Sequence, residues 1–306
     1  MARLITFLLL IMIISSCKGK PAEGLSNKTD DPADLHWCMP SDDLRFYVLE
    51  QDIMIYEEVI REFEFLPLMN TSFPELIISI ARYFEDTPYK AHTLELEGEE
   101  QLVINLKQMD CTTFVEYVLA FAFTIQSGNM SLWDFAQILA CIRYRDGVID
   151  GYPSRLHYFS EWIHNHSNQG ILQLIAEGSE FIPYDIQVGF MTSNPASYRQ
   201  LSDPDFLATM KEIESKVSAV ELVYLPKISI EAAEGVIHDG DIIAFTTNIQ
   251  GLDVTHTGFA YHQNGRLHLL HASTRSNSVE ITPVPLAQYL EPLGRVTGII
   301  VARPVF

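Results

Sequence analysis

Hydrophobic and polar positions change their period along this chain, and the changes divide it. Leu4 to Ile14 is an apolar run, interrupted only by Thr6, behind a single cationic Arg3. Eleven residues are too few to span a bilayer but suit the core of a signal peptide, so residues 1–17 are expected to lie outside the fold. Lys18 to about Pro40 has no apolar period and is rich in Gly, Pro, Asn, Asp and Lys, which predicts a flexible tether. Helical spacing then takes over. It predicts helices near Ser41–Phe65 and Pro74–Phe84, with Leu76, Ile77, Ile80 and Tyr83 on one face of the second. Asp86-Thr87-Pro88-Tyr89 is a turn signal, and Thr93–Leu106 reads as a strand pair or an ordered loop. Phe114, Val115, Val118, Leu119 and Phe121 predict a helix from about Cys111 to Ile125, closed by Ser127-Gly128-Asn129. Ser131 is the expected N-cap of the next helix, which runs to about Arg145.

Farther on the period shortens to two. Residues 171–234 carry a possible strand pair (Ile171–Ala176 and Phe181–Met191) and a helix near Pro204–Val217. The last seventy residues read as a meander over Asp241–Thr247, Thr255–Tyr261, Leu267–Ala272 and Val279–Ile281. A short helix near Pro285–Leu290 and a strand at Gly298–Ala302 close it. Helices first and antiparallel strands after predict an α+β fold. No linker brackets residues 146–234, so a single domain over 41–306 is expected, with its core in 75–145 and 235–306 and an insertion at 146–234.

Charge and cysteine usage narrow the partners. The formal net charge is −20 over 306 residues. So acidic a surface argues against nucleic acid and against anionic headgroups. Ile14-Ser15-Ser16-Cys17 resembles the lipobox of bacterial lipoproteins, with Cys17 as the lipidated residue; a plain secretory signal is the alternative. Membrane contact is then through the lipid anchor only, and the expected location is the cell envelope of a Gram-negative-type bacterium, on its periplasmic side. Cys38, Cys111 and Cys141 remain, an odd number that leaves at least one free thiol. Cys141 sits among Ile138, Leu139 and Ile142 and reads as a core thiol. Two buried thiols at positions 38 and 141 are favoured over a bridge between them.

The candidate chemistry lies in Asp110-Cys111-Thr112-Thr113-Phe114-Val115-Glu116. A thiol in a helix's first turn meets unpaired N–H groups and the positive end of the dipole, and both favour thiolate. A nucleophile of this kind needs a base, and the base needs an orienting group. His256 and His271 lie on adjacent predicted strands and fit those roles. On the strand, Val254, His256, Gly258 and Ala260 share a face, and Gly258 leaves room for a close neighbour. A metal site using Cys111, His256, His271 and His262 or His268 is the weaker alternative. His262 and His268 are expected in a hairpin turn, and no carboxylate is spaced with them. No cofactor is expected. Between Arg143 and Trp162, arginines and aromatic rings crowd together; they read as the wall of a ligand cleft or as a surface loop with an amphipathic helix.

Asp-Cys at a helix start, His-x-Gly on one strand and a histidine before Ala272-Ser273 on the next resemble the NlpC-type peptidoglycan cysteine amidases. Thr87-Pro88-Tyr89 resembles their Pro-Tyr element. Longer segments are similar to the AmiA-like N-acetylmuramoyl-L-alanine amidases: Arg143-Tyr144-Arg145-Asp146-Gly147, Tyr152-Pro153-Ser154-Arg155-Leu156-His157-Tyr158 and Gly240-Asp241-Ile242-Ile243. The resemblance covers roughly residues 75–306. It implies a reduced papain-like core and cleavage of the amide between N-acetylmuramic acid and L-alanine, with GlcNAc-anhydroMurNAc-peptides preferred to intact wall. It further implies a tyrosine hydroxyl, that of Tyr89, beside the catalytic cysteine. Asp110, Tyr152, Arg155, His157 and Tyr158 are the candidate substrate contacts. A monomer is expected. Two features depart from the superfamily pattern: His92 stands where a small residue is usual, and Thr112-Thr113 replaces Ser-Gly after the cysteine. Cleavage between γ-D-glutamate and diaminopimelate, and binding of wall fragments without turnover, are the alternative functions.

Overall fold

The computed structural model describes residues 37–38, 43–67 and 70–306. The first half is mainly helical: β1 (Phe46–Val48), α1 (Glu50–Phe63), α2 (Phe73–Tyr83), β2 (Leu102–Ile104), α3 (Cys111–Ser127), α4 (Leu132–Arg143) and α5 (Phe159–Asn168). A mixed stretch follows: β3 (Leu172–Leu174), β4 (Ile182–Pro183), α6 (Phe190–Ser193), α7 (Pro204–Val217), β5 (Val223–Pro226) and α8 (Ile230–Ala233). The chain closes with β6 (Ile242–Thr247), β7 (Val254–Gln263), β8 (Arg266–Ser273), β9 (Ser278–Ile281), α9 (Leu286–Leu290) and β10 (Val296–Pro304). The class is α+β. The described residues all fall within one contact unit, Pro32–Phe306. Cys17 and its lipobox, with almost all of the expected tether, lie outside the described residues.

α3 is the axis of the molecule. Apolar residues surround it on every side, so it is buried along nearly its whole length, as a helix without a polar face must be. It packs against α2 and α4 on one side and against β7 and β8 on the other. Its start is set by Asp110, whose carboxylate accepts from the Thr113 N–H at 2.8 Å while the Thr113 hydroxyl accepts from the Asp110 N–H at 2.9 Å. The Thr113 that departs from the superfamily pattern therefore completes the cap. Beneath it, Glu116 holds Arg143 of α4 at 2.7 Å, and Arg143 also donates to the Val103 carbonyl at 2.6 Å. Both side chains are almost wholly buried. Arg143 is thus a strut between helices, not part of a cleft wall.

The main sheet has eight strands in the order β4-β5-β10-β6-β7-β8-β9, with β3 also on β10, and every pairing is antiparallel. The predicted meander is present; β7, β8 and β9 are longer than expected and β6 is one residue shorter. β10 returns to the far side of β6, so the sheet continues past its first-formed edge.

Several expectations change. Residues 46–48 form β1 instead of opening the first helix, because β2 offers a parallel partner, Phe46 opposite Leu102. Thr93–Leu106 contains that one strand, not a pair. β3 and β4 do not pair with each other; β3 pairs with β10 and β4 with β5, both in the main sheet. His262 and His268 lie in β7 and β8, outside the turn, where Asp239 holds His262 at 2.7 Å and the Thr282 carbonyl meets His268 Nδ1 at 2.7 Å. Cys38 and Cys141 are joined in a disulfide with their Cα atoms 6.0 Å apart, so the expectation of two thiols is overturned. Burial of Cys141 among apolar neighbours hid this, because the partner arrives from 103 residues away. Gly147, at φ +71°, makes room: a Cβ there would lie 2.6 Å from the Cys38 sulfur.

Candidate active site

Cys111 is the first residue of α3, so its N–H has no helical acceptor. The strand segment 88–90 runs alongside it. Lys90 N–H donates to the Met109 carbonyl at 3.0 Å and Tyr89 N–H to the Asn277 carbonyl at 2.8 Å, which carries the Tyr89 ring to the cysteine. β7 supplies His256 and β8 supplies His271. Their rings are perpendicular, and His256 Nε2 lies 2.5 Å from His271 Nδ1. This contact depends on Gly258, which sits opposite His271: any side chain there would lie 2.8 Å from the His271 Cβ and 2.7 Å from the Leu270 carbonyl. Cys111, His256, His271 and Tyr89 line one cleft of about 490 Å³, together with Arg275 and Tyr289.

A smaller hollow of about 180 Å³ opens on the other side of Cys111 and His256, bounded by His157, Tyr158, Met191, Tyr198 and Asp253. His157 and Tyr198 also border a third hollow of about 360 Å³, with Tyr152, Arg155, Glu95 and His92. Leu156, His157 and Tyr158 therefore share a hollow with the cysteine, whereas Tyr152 and Arg155 line the neighbouring one. Their polar groups are largely engaged. Arg155 is held by Glu100 at 2.7 Å and Glu95 at 2.9 Å, lies over the Tyr152 ring and is 8% exposed. The Tyr158 hydroxyl donates to Glu214 at 2.7 Å and accepts from the Met191 N–H. His157 Nε2 meets the Tyr152 carbonyl at 2.8 Å, and Asp110 is engaged as a helix cap. The segment presents ring faces and edges to the hollow and keeps its forks for the protein. His92 takes φ +61°, the left-handed conformation that Gly adopts freely and that His, Asn and Asp adopt more often than other side chains.

A sequence profile of the AmiA-like, N-acetylmuramoyl-L-alanine amidase-like family matches residues 79–295. This chain belongs to that family. An N-acetylmuramoyl-L-alanine amidase of Bacteroides uniformis is 44% identical to this AmiA-like chain, with a TM-score of 0.73 over 76% of this chain and 99% of its own. A Bacteroides fragilis protein whose name, xylanase, is provisional is 45% identical with a TM-score of 0.70, over 74% of this chain and 99% of its own. A Legionella pneumophila protein at 20% identity and TM-score 0.62 shares the fold. No match is found among the curated proteins. Family membership makes the chain a hydrolase of the amidase type with a peptidoglycan-derived substrate.

Electrostatics at the AmiA-like site differ from the helix-start expectation. Burial pushes the Cys111 thiol up to about 12, and the Asp110 carboxylate adds to the rise. The Thr257 N–H, the Thr112 side chain and the residue's own N–H favour the thiolate but do not prevail. A helix terminus contributes about 0.3–2 kcal/mol, whereas taking an ion out of water costs several kcal/mol. Burial also holds His256 down at about 4, and burial with the neighbouring His256 holds His271 at about 2. The resting site at neutral pH is therefore a neutral thiol beside neutral imidazoles. Burial raises Tyr89 to about 12, with Cys111 and Asp110 contributing, so its hydroxyl keeps its proton.

Tyr198, Met191 and Asp253 also border the hollow at Cys111. No motif marks them: the first two come from the insertion, and Asp253 is recognisable only by where it folds, accepting from the Ser160 N–H and hydroxyl at 2.7 Å each.

Proposed function

We propose that this chain is a cysteine-dependent N-acetylmuramoyl-L-alanine amidase acting on small muropeptides, on a reduced papain-like core. The observation that carries the reading is the His256–His271 hydrogen bond beside a half-buried, helix-start Cys111 in one cleft. Because thiol and imidazole start neutral, attack is coupled to proton transfer: the thiol proton moves to His256 as sulfur bonds to the lactyl carbonyl carbon. The oxyanion receives the Cys111 N–H and the Tyr89 hydroxyl, each worth about 3–4 kcal/mol in a dry site. The C–N bond breaks as imidazolium gives its proton to the departing alanine nitrogen, leaving a thioester. His256 then takes a proton from water, hydroxide adds to the thioester, and the thiol and the muramic acid are released.

The two hollows suit the two halves of the substrate. Rings of His157 and Tyr198, both half-buried, offer faces to a sugar, with buried Tyr158 behind them. On the other side Arg275 and Arg295 line the cleft, and no carboxylate among the described residues pairs with either. A stem peptide carries free carboxylates that would meet them. A glycosidase would instead need two carboxyl groups flanking the bond, about 5–9.5 Å apart. Among the described residues Asp253 is the one carboxylate on either hollow at Cys111; it borders the smaller, and Ser160 donates to it. Lipidation at Cys17, a periplasmic-side location and a monomeric state complete the proposal, on the lipobox and signal pattern of the sequence.

The test is incubation of purified GlcNAc-anhydroMurNAc-tetrapeptide with the protein and mass spectrometry of the products. Intact tetrapeptide plus free disaccharide is the expected outcome. Fragments cut between γ-D-glutamate and diaminopimelate would replace the bond assignment, and no products would leave a binding protein. Membrane sedimentation of wild type but not of Cys17→Ser tests the anchor.

A further inference from the structure

The mechanism leaves one buried atom without a partner. His271 Nε2 makes no hydrogen bond, although the His271 side chain is 1% exposed. The tautomers explain why this matters. For His256 to take the thiol proton through Nδ1, that atom must carry a lone pair, so its proton sits on Nε2. His256 Nε2–H then donates across the 2.5 Å contact, and His271 Nδ1 must accept. His271 therefore carries its own proton on Nε2, the atom with no partner. The opposite tautomer pair would put a proton on His256 Nδ1 and disable it as a base.

One carboxylate faces that proton. Glu280 of β9 is the direct cross-strand partner of His271, and its Oε1 lies 3.9 Å from His271 Nε2. The distance is too long for a hydrogen bond and short enough to close by about 1 Å of side-chain rotation or to hold one water. Other groups around His271 do not serve. His256 is committed to Nδ1, and Tyr289 of α9 meets the ring edge-on with Arg275 above it. Cys111 and Asp110 stand beyond His256, at the start of α3.

We infer that Glu280 is a positioning residue of the site: it accepts the His271 Nε2 proton, selects the productive tautomer of both histidines, and makes the arrangement Cys111–His256–His271–Glu280 a four-member relay. The inference rests on the reading of Cys111 and His256 as nucleophile and base.

Steady-state kinetics on the anhydro-muropeptide decide it, with wild type, Cys111→Ala, Glu280→Ala and Glu280→Gln side by side. Glu280→Ala should lower kcat about 10-fold or more and leave KM within about 2-fold. Glu280→Gln keeps an acceptor oxygen and should stay within about 3-fold of wild type in kcat. Both remove a negative charge that favours imidazolium, so both should move the acid limb of kcat/KM to lower pH. A wild-type kcat and an unmoved acid limb in Glu280→Ala would overturn the inference. So would equal losses in Ala and Gln with no limb shift, the signature of a merely structural role. Should Glu280→Ala not fold, Glu280→Gln decides by the limb shift alone. Turnover by Cys111→Ala would take down the cysteine reading and this inference with it. A dead Cys111→Ala beside unaffected Glu280 variants would take down this inference only.

Discussion

Cys111→Ala should abolish turnover with thermal stability near wild type, since the N1 position tolerates alanine and the cap belongs to Asp110 and Thr113. Retained hydrolysis would move the nucleophile elsewhere. His256→Ala should lose nearly all activity and His271→Ala less. His271→Asn should keep more than His271→Ala, because an amide can still accept from His256. Gly258→Ala tests the floor of the cleft. Its methyl group would enter the space of the His271 Cβ and the Leu270 carbonyl, so a stability loss of about 1–3 kcal/mol is expected. A fall in kcat should accompany it as His271 is pushed off His256. A Gly258→Ala protein with wild-type melting and kcat would show that the strands can part without consequence.

At the scale of elements, the hairpin and the helices were largely legible, while their partners were not. α2 and α4 begin with capping boxes at Ser72 and Ser131, and α3 with one at Asp110, all set by residues three apart. Such signals are local, so the sequence shows them. β1, β2, β3 and β4 are two- or three-residue strands that exist because a distant edge was free; nothing within them announces it. The same holds for the Cys38–Cys141 bridge. It closes a loop of about 100 residues, for which chain entropy suggests about 4.7 kcal/mol of stabilisation. Cys141→Ala, or mild reductant, should therefore lower the melting temperature markedly while the folded fraction keeps its specific activity; an unchanged melting curve would deny the bridge its role. Arg155 joins two further elements, the loop at 93–101 and the segment at 152–158. Arg155→Ala leaves Glu100 buried without a counter-charge, held by the Tyr144 hydroxyl alone, so a loss of about 3 kcal/mol is expected, with KM rising as the hollow loses its wall. Unchanged stability and KM together would contradict this placement.

The whole molecule adds a pH dependence that no single element has. Burial holds His157 at about 3, His166 and His256 at about 4 and His271 at about 2, all below an ordinary histidine near 6.5. A lowered folded-state value means the unfolded chain binds the protons first. Stability from these four groups is thus complete above about pH 6.5 and is lost progressively as pH falls from there through about 4 and on towards 2. Denaturant titrations at pH 7.5, 6 and 4.5 should show stability falling in that order; a flat profile would mean that the histidines are not buried neutral. What the sequence alone determined is what neighbours along the chain can specify: a helix beginning at Cys111, a C-terminal meander carrying His256 and His271, and the α+β order. The tertiary structure decided the rest. It set the protonation of the site, because desolvation depends on everything packed around a thiol and outweighs the dipole of its own helix. It decided which side chains face the cleft and which brace it, as Arg143 and Arg155 do, because an arginine's partners come from carboxylates far along the chain. And it set Glu280 opposite His271, a pairing that strand register alone creates.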